Sequence, residues 1–169
     1  HCAVHHFNFP RTTTICRSVI DIDGAEVRLQ AGIGQRDIAV VVGGAPCQGF
    51  SLIGKRALDD PRNKLVHHFV RLVLELQPRF FVFENVRGLT IGTRRRFLEA
   101  DSEAFESGGY PVKRNYQVLN AADYGVPQDR RRLFLIGARA GETLPEYPIS
   151  SPPVTVQDAI GDLPEAEDF

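Results

Sequence analysis

Two apolar runs on either side of an amphipathic stretch constrain the fold of this 169-residue chain more than any other feature. Residues 37 to 46, DIAVVVGGAP, form a β-branched run that closes on glycine, and residues 79 to 86, RFFVFENV, form a second run. Such continuous runs are typical of strands that are buried on both faces of a parallel sheet. The sequence therefore predicts two neighbouring, buried strands.

The stretch between the runs, residues 59 to 78, predicts the helix that crosses from one strand to the next. Asp60 suits the cap position, Pro61 suits the first turn, and Pro78 ends the pattern. The apolar residues recur at helical spacing and form one stripe, which consists of Leu65, Phe69, Leu72 and Leu76. About four helical turns are long enough for a right-handed crossover between parallel strands.

Further patterns extend this strand–helix–strand unit. Residues 93 to 107 have a weaker helical pattern that stops at a pair of glycines. Two short apolar runs, residues 116 to 119 and 133 to 138, then predict a strand pair joined by a polar loop. Alternating strands and helices predict an α/β fold, Rossmann-like and doubly wound around a mostly parallel sheet.

The composition, 43% hydrophobic and 24% charged, fits one globular domain. We expect residues 1–150 to form one α/β domain. The proline-rich, acidic residues 151–169 are typical of a linker, with one short helix near 155 to 163. No run reaches the roughly 18 apolar residues of a membrane helix, and the first ten residues lack a signal-peptide pattern. We therefore expect a cytoplasmic protein without a membrane partner.

The charges are balanced overall but uneven along the chain. The net charge of -1 argues against nonspecific binding of polyanions by the whole chain. Arginines nevertheless cluster in TRRR, residues 93 to 96, and in DRRR, residues 129 to 132, so local basic patches are expected.

The three cysteines, Cys2, Cys16 and Cys47, are too few and too irregularly spaced for a disulfide framework. Cys2 lies close in sequence to His1, His5 and His6. No second cluster completes a set of four metal ligands, and we predict no metal site.

The segment GGAPCQGFS, residues 43 to 51, has the features of a site. Its three glycines indicate a sharply bent backbone that another group approaches closely. Cys47 and Glu84 both fall at the ends of predicted strands, and ligands of doubly wound sheets gather outside the carboxyl ends of strands. A thiol near exposed N–H groups and arginine could act as a nucleophile, and Glu84 could protonate or hydrogen-bond a ring nitrogen.

Each of these residues also has an ordinary structural interpretation. An isolated cysteine after a strand is usually structural, and an isolated glutamate at a strand end is usually solvated. Three consecutive arginines usually form a solvated face. Alternate residues of a strand share a face, however, so Arg130 and Arg132 could together hold a ring oxygen or a phosphate.

Taken in order, these motifs resemble the DNA (cytosine-5) methyltransferases. The resemblance covers about residues 3 to 165. It rests on GGAPCQGFS, on FENV at residues 83 to 86 and on PQDRRRLFLIG at 127 to 137, and it continues through GKRALDDPRN at 54 to 63 and VTVQDAIGDLP at 154 to 164. It implies the Rossmann-like fold of S-adenosylmethionine-dependent methyltransferases, here incomplete at both ends.

The resemblance implies a covalent mechanism on a cytosine that is flipped out of double-stranded DNA. Cys47 would add to carbon 6, and carbon 5 would take the methyl group of S-adenosylmethionine, leaving S-adenosylhomocysteine. Glu84 would contact ring N3 and the exocyclic amine. Arg130 and Arg132 would hold the cytosine oxygen and steady the catalytic loop. Covalent catalysis suits this reaction because neutral cytosine is a poor methyl acceptor at carbon.

The resemblance also assigns binding residues and partners. The cofactor-binding residues would be Asp21, Ile22, Pro46 and Leu65. The substrate- or DNA-binding residues would be Gln48, Ser51, Arg62 and Asn85, with residues 47 to 55 closing over the flipped base. The segment around Asp21 equally matches an ordinary strand end. A restriction endonuclease is a further expected partner, in the cytoplasm of a prokaryote and close to its nucleoid, whereas the sequence leaves the oligomeric state open.

The sequence departs from that family in three features. It lacks the glycine-rich Phe-x-Gly-x-Gly turn that cradles the methionine part of the cofactor, the acidic residue that binds its ribose, and the target recognition domain. We therefore expect these 169 residues alone neither to bind the donor tightly nor to methylate DNA.

Three alternative functions remain open. An RNA (tRNA) cytosine-5 methyltransferase of the same family would keep the thiol and the glutamate, although Gln-Gly-Phe-Ser after Cys47 is closer to the DNA branch. A non-catalytic DNA-binding or regulatory relative would have no chemical need for the four residues together. A nucleotide-binding module with a redox-active Cys47 would need a second cysteine to resolve a sulfenate, and none is suitably placed.

Overall fold

The computed structural model describes residues 1–45, 64–92, 95–112 and 116–164. Their five α-helices are α1 (Cys2–Asn8), α2 (Gly24–Gln30), α3 (Lys64–Leu76), α4 (Arg95–Ser107) and α5 (Val156–Ile160). Their four strands are β1 (Val40–Gly43), β2 (Phe80–Val86), β3 (Gln117–Asn120) and β4 (Arg131–Ala138). Two short 3-10 helices, Arg87–Thr90 and Ala121–Tyr124, directly follow β2 and β3.

The four strands form one mixed sheet in the order β1-β2-β4-β3. β1 and β2 are parallel, with Gly43 opposite Phe83, whereas β4 is antiparallel to both β2 and β3. The predicted α/β fold is confirmed, but within the described ranges the sheet is mixed rather than mostly parallel. The reason is local: residues 121 to 130, which join β3 to β4, are fewer than the dozen or so that a parallel crossover needs.

Helices α3 and α4 cover one face of this sheet. Alternate residues of β2 and β4 point toward them, and Phe81, Phe83, Leu133 and Leu135 are almost fully buried there. Aromatic rings fill the layer between sheet and helices, and the rings of Phe81 and Phe105 stack with centroids 4.0 Å apart. The other residues of each strand point to the opposite face, which these two helices leave free.

Helix α3 confirms the predicted crossover, but only part of the predicted apolar stripe is buried. Of the apolar stripe, Phe69 and Leu76 are buried, whereas Leu65 and Leu72 are only partly buried and line a cavity beside β1. The other buried apolar residues of this helix are Val66, Val70 and Val73. Because α3 is apolar on more than one side, its sequence did not specify which side meets the sheet.

The remaining predicted elements are also found. The helix expected at residues 93 to 107 corresponds to α4, and the strand pair corresponds to β3 and β4. Helix α5 occupies part of the expected tail helix and begins with a capping box between Thr155 and Asp158. In the described part of the chain, no helix has both the length and the apolar character needed to cross a membrane.

Asn85, near the end of β2, holds the chain that leaves β1. Its side chain is 3% exposed. The amide nitrogen Nδ2 donates to the carbonyl oxygen of Ala45 at 3.1 Å, and Oδ1 accepts from the backbone N–H of Val86 at 2.8 Å. Asn85 therefore fixes the position of the first residues after β1 relative to the end of β2.

Asp101 is the other buried polar side chain of the described residues, and it joins α4 to α3. It is 4% exposed, and its Oδ1 lies 3.0 Å from Nδ1 of His67. Burial raises the pKa of Asp101 from 3.8 to about 6, although His67 opposes the rise. The pKa of Asp101 is therefore higher in the folded than in the unfolded protein. For this reason its contribution to the free energy of unfolding is complete below pH 3.8 and is lost as the pH rises through about 6.

We expect Asn85→Ala to lower the free energy of unfolding of the full-length protein by about 1–3 kcal/mol, because two buried backbone groups lose their partner. Urea denaturation measures this. Asn8→Ala is the matched control, since the Nδ2 of Asn8 donates to the Val4 carbonyl at the surface, and we expect a change within about 0.5 kcal/mol. Equal losses in the two variants would contradict the bridging role of Asn85.

We expect Asp101→Asn to stabilise the protein by about 1–3 kcal/mol at pH 8 and by much less at pH 4, because the amide avoids burying a charge. Urea denaturation at both pH values tests this expectation. Glu103→Gln, at an exposed position of the same helix, should leave the pH dependence unchanged. The difference in unfolding free energy between Asp101→Asn and the wild type should grow from pH 4 to pH 8. An equal difference at the two pH values would show that the carboxyl of Asp101 does not cause the pH dependence.

Candidate active site

A cavity of about 500 Å³ opens on the sheet face that α3 and α4 leave free. Its floor is apolar and consists of outward-pointing residues of β2 and β4, namely Val82, Phe134 and Ile136. Tyr124 and Tyr147 form part of its wall. Its polar groups are Glu84, Arg130 and Arg132, so three of the four predicted catalytic residues share one cavity.

Glu84 and Arg132 form an ion pair across the strand pair β2–β4. Glu84 is opposite Phe134, and Arg132 precedes Phe134 by two residues, so the side chains point to the same face. The Nε of Arg132 lies 3.1 Å from Oε1 of Glu84, and the two side chains are 26% and 31% exposed. A pair this accessible to water contributes only about 0–1 kcal/mol to stability. Its main effect is to orient the carboxylate, whose second oxygen faces the end of β1.

Arg130 enters the same cavity from the turn before β4. Its backbone N–H donates to Oδ1 of Asn120 at 2.9 Å, and its carbonyl accepts from the N–H of Ala121 at 3.0 Å. These two bonds hold the turn while the guanidinium stays exposed. No carboxylate in the described residues forms an ion pair with Arg130. The guanidinium is therefore available to an acceptor on a substrate.

The end of β1 reaches this site from the other side of Glu84. Gly43 is opposite Phe83, so the next residue, Gly44, lies beside Glu84. A β-carbon on Gly44 would lie 2.9 Å from Oε2 of Glu84. A side chain at this position would have to displace the carboxylate of Glu84 from where it now lies. The two residues that precede Pro46 are thus held against Glu84 and Asn85.

Five predicted site residues lie outside the described residues. They are Pro46, Cys47, Gln48, Ser51 and Arg62.

The prediction that Asn85 contacts substrate or DNA needs correction. Its side chain is buried and uses its amide to bind Ala45 and Val86, so it is not exposed to a nucleic acid. Asn85 positions the backbone of the site instead. The sequence does not distinguish these roles, because a polar residue at a strand end suits both.

Of the predicted cofactor residues that the structure describes, only Leu65 lines a cavity. This cavity, of about 320 Å³, lies between β1, α2 and α3, and apolar side chains such as Val27 and Leu72 dominate its lining. Ile22 is buried and Asp21 is exposed, and neither lines the cavity. The lining fits the faces of a flat aromatic ring such as adenine, and the described residues add no charged group for an amino-acid moiety.

The wall residue Tyr147 was not predicted from the sequence. Its hydroxyl donates to the carbonyl of Phe134 at 3.0 Å, and burial raises the pKa of the hydroxyl. This bond ties the segment after β4 to the sheet and so closes one side of the cavity. An isolated Tyr-Pro pair in a polar stretch is the only sequence signal, and it is weak.

Within the described ranges, no group of three or more histidine, cysteine, aspartate or glutamate side chains is arranged to hold a metal ion. Cys2 and Cys16 are free thiols.

Comparisons with known proteins agree on one family. A model described as C-5 cytosine-specific DNA methylase matches residues 2–168. The chain is 66% identical over 169 residues to the Type II methyltransferase M.XorII of Xanthomonas oryzae pv. oryzae, covering 100% of this chain and 40% of that protein. It is 39% identical over 189 residues to the Type II methyltransferase M.AquIA of Picosynechococcus sp., covering 98% and 76% respectively.

Solved structures give the same picture. An E. coli protein encoded within a prophage and described as a DNA modification methyltransferase is 34% identical, with a TM-score of 0.77 over 97% of this chain and 46% of that chain. DNMT2 of Spodoptera frugiperda, at 22% identity and a TM-score of 0.60 over 83% of this chain and 40% of that one, shares the fold. The chain thus spans 40% of the M.XorII length and 46% of the prophage protein. On the family match and these identities, the chain belongs to the C-5 cytosine-specific DNA methylases.

Proposed function

We propose that the protein containing this chain transfers a methyl group to carbon 5 of cytosine in double-stranded DNA. The observation that carries the proposal is the position of Glu84, which is paired with Arg132 inside a cavity and lies against Gly44. Gly44 precedes Cys47 by three residues. A carboxylate, two guanidinium groups and a thiol are thereby proposed to surround one pyrimidine ring.

Cys47 is proposed as the nucleophile. It follows Ala45 by two residues, and two residues span at most about 7 Å, so the anchored Ala45 limits its distance from Glu84. The thiolate sulfur forms a bond to carbon 6, and the electrons of the 5,6 double bond make carbon 5 nucleophilic. After carbon 5 has gained the methyl group, loss of its proton restores the double bond and the thiolate leaves.

Glu84, Arg130 and Arg132 are proposed to hold and polarise the ring. Glu84 would bind N3 and the exocyclic amine, where charge changes as carbon 6 is attacked. Arg132 orients Glu84, and Arg130, which has no carboxylate partner in the described part of the chain, would bind the ring oxygen. A paired ring edge is inaccessible in duplex DNA, so the cytosine must leave the base stack.

S-adenosylmethionine is the proposed donor and supplies an electrophilic methyl group. The apolar cavity beside Leu65 is the proposed place for its adenine, with Pro46 next to the methyl group. The site residues outside the described ranges keep their proposed roles, so Gln48, Ser51 and Arg62 are candidate DNA contacts. Because similar proteins are Type II methyltransferases, a restriction endonuclease that recognises the same DNA is the proposed partner, and both would act in the cytoplasm.

Covalent trapping tests the nucleophile. In the presence of S-adenosylmethionine, we expect the full-length wild-type protein to form a complex with 5-fluorocytosine DNA that survives a denaturing gel, because after methyl transfer fluorine cannot leave carbon 5 as a proton does. Cys47→Ser should form none. Cys16→Ser, which changes an exposed free thiol, should trap DNA as the wild type does. Trapping by Cys47→Ser would show that another residue is the nucleophile.

Methyl transfer from labelled donor tests Glu84. We expect Glu84→Gln to lower the rate with duplex DNA by about 10²–10⁴-fold, since a positioned acid–base group is lost. Glu99→Gln removes another partly exposed carboxylate that is paired with an arginine, 2.9 Å from Arg95, and should leave the rate unchanged. Wild-type activity on tRNA but not on duplex DNA would replace the DNA proposal with its RNA counterpart.

A further inference from the structure

A second, polar cavity lies at the same end of the sheet as Glu84. It has a volume of about 520 Å³ and lies where β2 ends and β4 begins. Arg87 and Arg131 line it, together with Thr90, Asn120 and Asp123. Arg131 alternates with Arg130 and Arg132 along the chain, so this cavity opens on the opposite face of the sheet from the one that holds Glu84. Both cavities reach the rim where β2 ends.

The two arginines lie next to the last pair of the β2–β4 ladder. That ladder ends where Val86 is opposite Arg132. Arg87 follows Val86 as the first residue of a 3-10 helix, Arg131 precedes Arg132, and both line this one cavity. Like charges that line one cavity repel each other. An anion between the two guanidinium groups would remove this repulsion, and the fork geometry of arginine suits a phosphate.

The carboxylates near this cavity do not neutralise both arginines. In the described residues, Arg131 has one ion-pair partner, Asp129, at 3.4 Å, and both side chains of that pair are more than half exposed. Arg87 has no ion-pair partner there. Asp123 lines the cavity but is not within ion-pair distance of either guanidinium. The oxygen of Asn120 accepts the N–H of Arg130, which leaves its amide hydrogens as further donors.

The opposite end of the same two strands provides a comparison. Arg79 precedes β2 and binds Glu142 through two hydrogen bonds of 2.8 and 3.0 Å. Arg139 follows β4 and lies 3.2 Å from Asp37. Each arginine at that end therefore has a close carboxylate partner. At the end where Glu84 lies, Arg131 and Arg132 are also paired, but Arg87 and Arg130 have no carboxylate partner among the described residues.

We propose that Arg87 and Arg131 bind a backbone phosphate of the DNA strand that carries the target cytosine, an inference that rests on the proposed function. Glu84 and Arg87 are three residues apart, which is at most about 10 Å. When the target cytosine of a DNA strand lies at Glu84, a neighbouring phosphate of that DNA strand would lie near the end of β2, within reach of both arginines. The contact is to phosphate, so it contributes affinity without sequence preference.

The test is the salt dependence of binding between the full-length protein and a random-sequence DNA duplex. We expect Arg87→Ala and Arg131→Ala each to weaken binding roughly tenfold at low salt. Each should also reduce the slope of log affinity against log salt by about 1, because one phosphate contact is lost. Arg87→Lys should keep most of the slope. Asp123→Asn, which removes a negative charge from the cavity, should strengthen binding.

Arg79→Ala is the matched control, because it removes the same charge from the other end of β2, and its slope should equal that of the wild type. Thermal melting of each variant verifies folding. The inference would be overturned if the salt dependence of DNA binding had the same slope in Arg79→Ala, Arg87→Ala and Arg131→Ala. It would also be overturned if Arg87→Ala and Arg131→Ala weakened the binding of tRNA but not of DNA.

Covalent trapping of 5-fluorocytosine DNA separates the two proposals. If the wild type traps DNA and the arginine variants bind duplex as the wild type does, only the phosphate site is wrong. If the wild type does not trap DNA but the slopes change as expected, the phosphate site stands and the proposed reaction is wrong.

Discussion

The parallel pairing of β1 with β2 is the interaction on which the rest of the site depends. Parallel strands end at the same edge of a sheet, so the backbone after Gly43 emerges beside Glu84. Two local features maintain this proximity. Gly44 has no β-carbon to meet the carboxylate, and Asn85 holds the carbonyl of Ala45 by a buried hydrogen bond. Residues forty positions apart in the chain thus become neighbours.

The antiparallel direction of β4 completes the arrangement. Glu84 lies near the end of β2 and Cys47 comes after β1 in the sequence, whereas Arg130 and Arg132 lie where β4 begins. In a purely parallel sheet, the start of a strand would lie at the opposite edge from the ends of its neighbours. Because β4 runs against β2, its first residues meet the last residues of β2, and Arg132 can pair with Glu84. The mixed sheet is therefore a requirement of this site.

The sequence predicts those parts of the fold that depend on local pattern. The runs that became β1, β2 and β4 and the helical stretches that became α3 and α4 have strong periodicity, and strand alternation placed Arg130 and Arg132 together. Features that depend on packing were not predictable. The buried side of α3 is set by the sheet it meets, and the role of Asn85 is set by the chain from β1. Likewise, Arg87 and Arg131 come to line one cavity only because β2 and β4 are paired.

The ion pairs of the arginines are distributed unevenly over the two ends of the strand pair β2–β4, which the net charge does not reveal. A net charge of -1 describes a chain without a general affinity for polyanions. The arginines at the two ends of the strand pair β2–β4 nevertheless differ in their surroundings: Arg79 and Arg139 have carboxylate partners, whereas Arg87 and Arg130 have none among the described residues. At that same edge Arg131 and Arg132 do have carboxylate partners, Asp129 and Glu84, so the difference between the two ends rests on Arg87 and Arg130. Under the proposed function, this asymmetry would help the protein bind DNA in one orientation, because the field that attracts the backbone would also turn the proposed active site toward it.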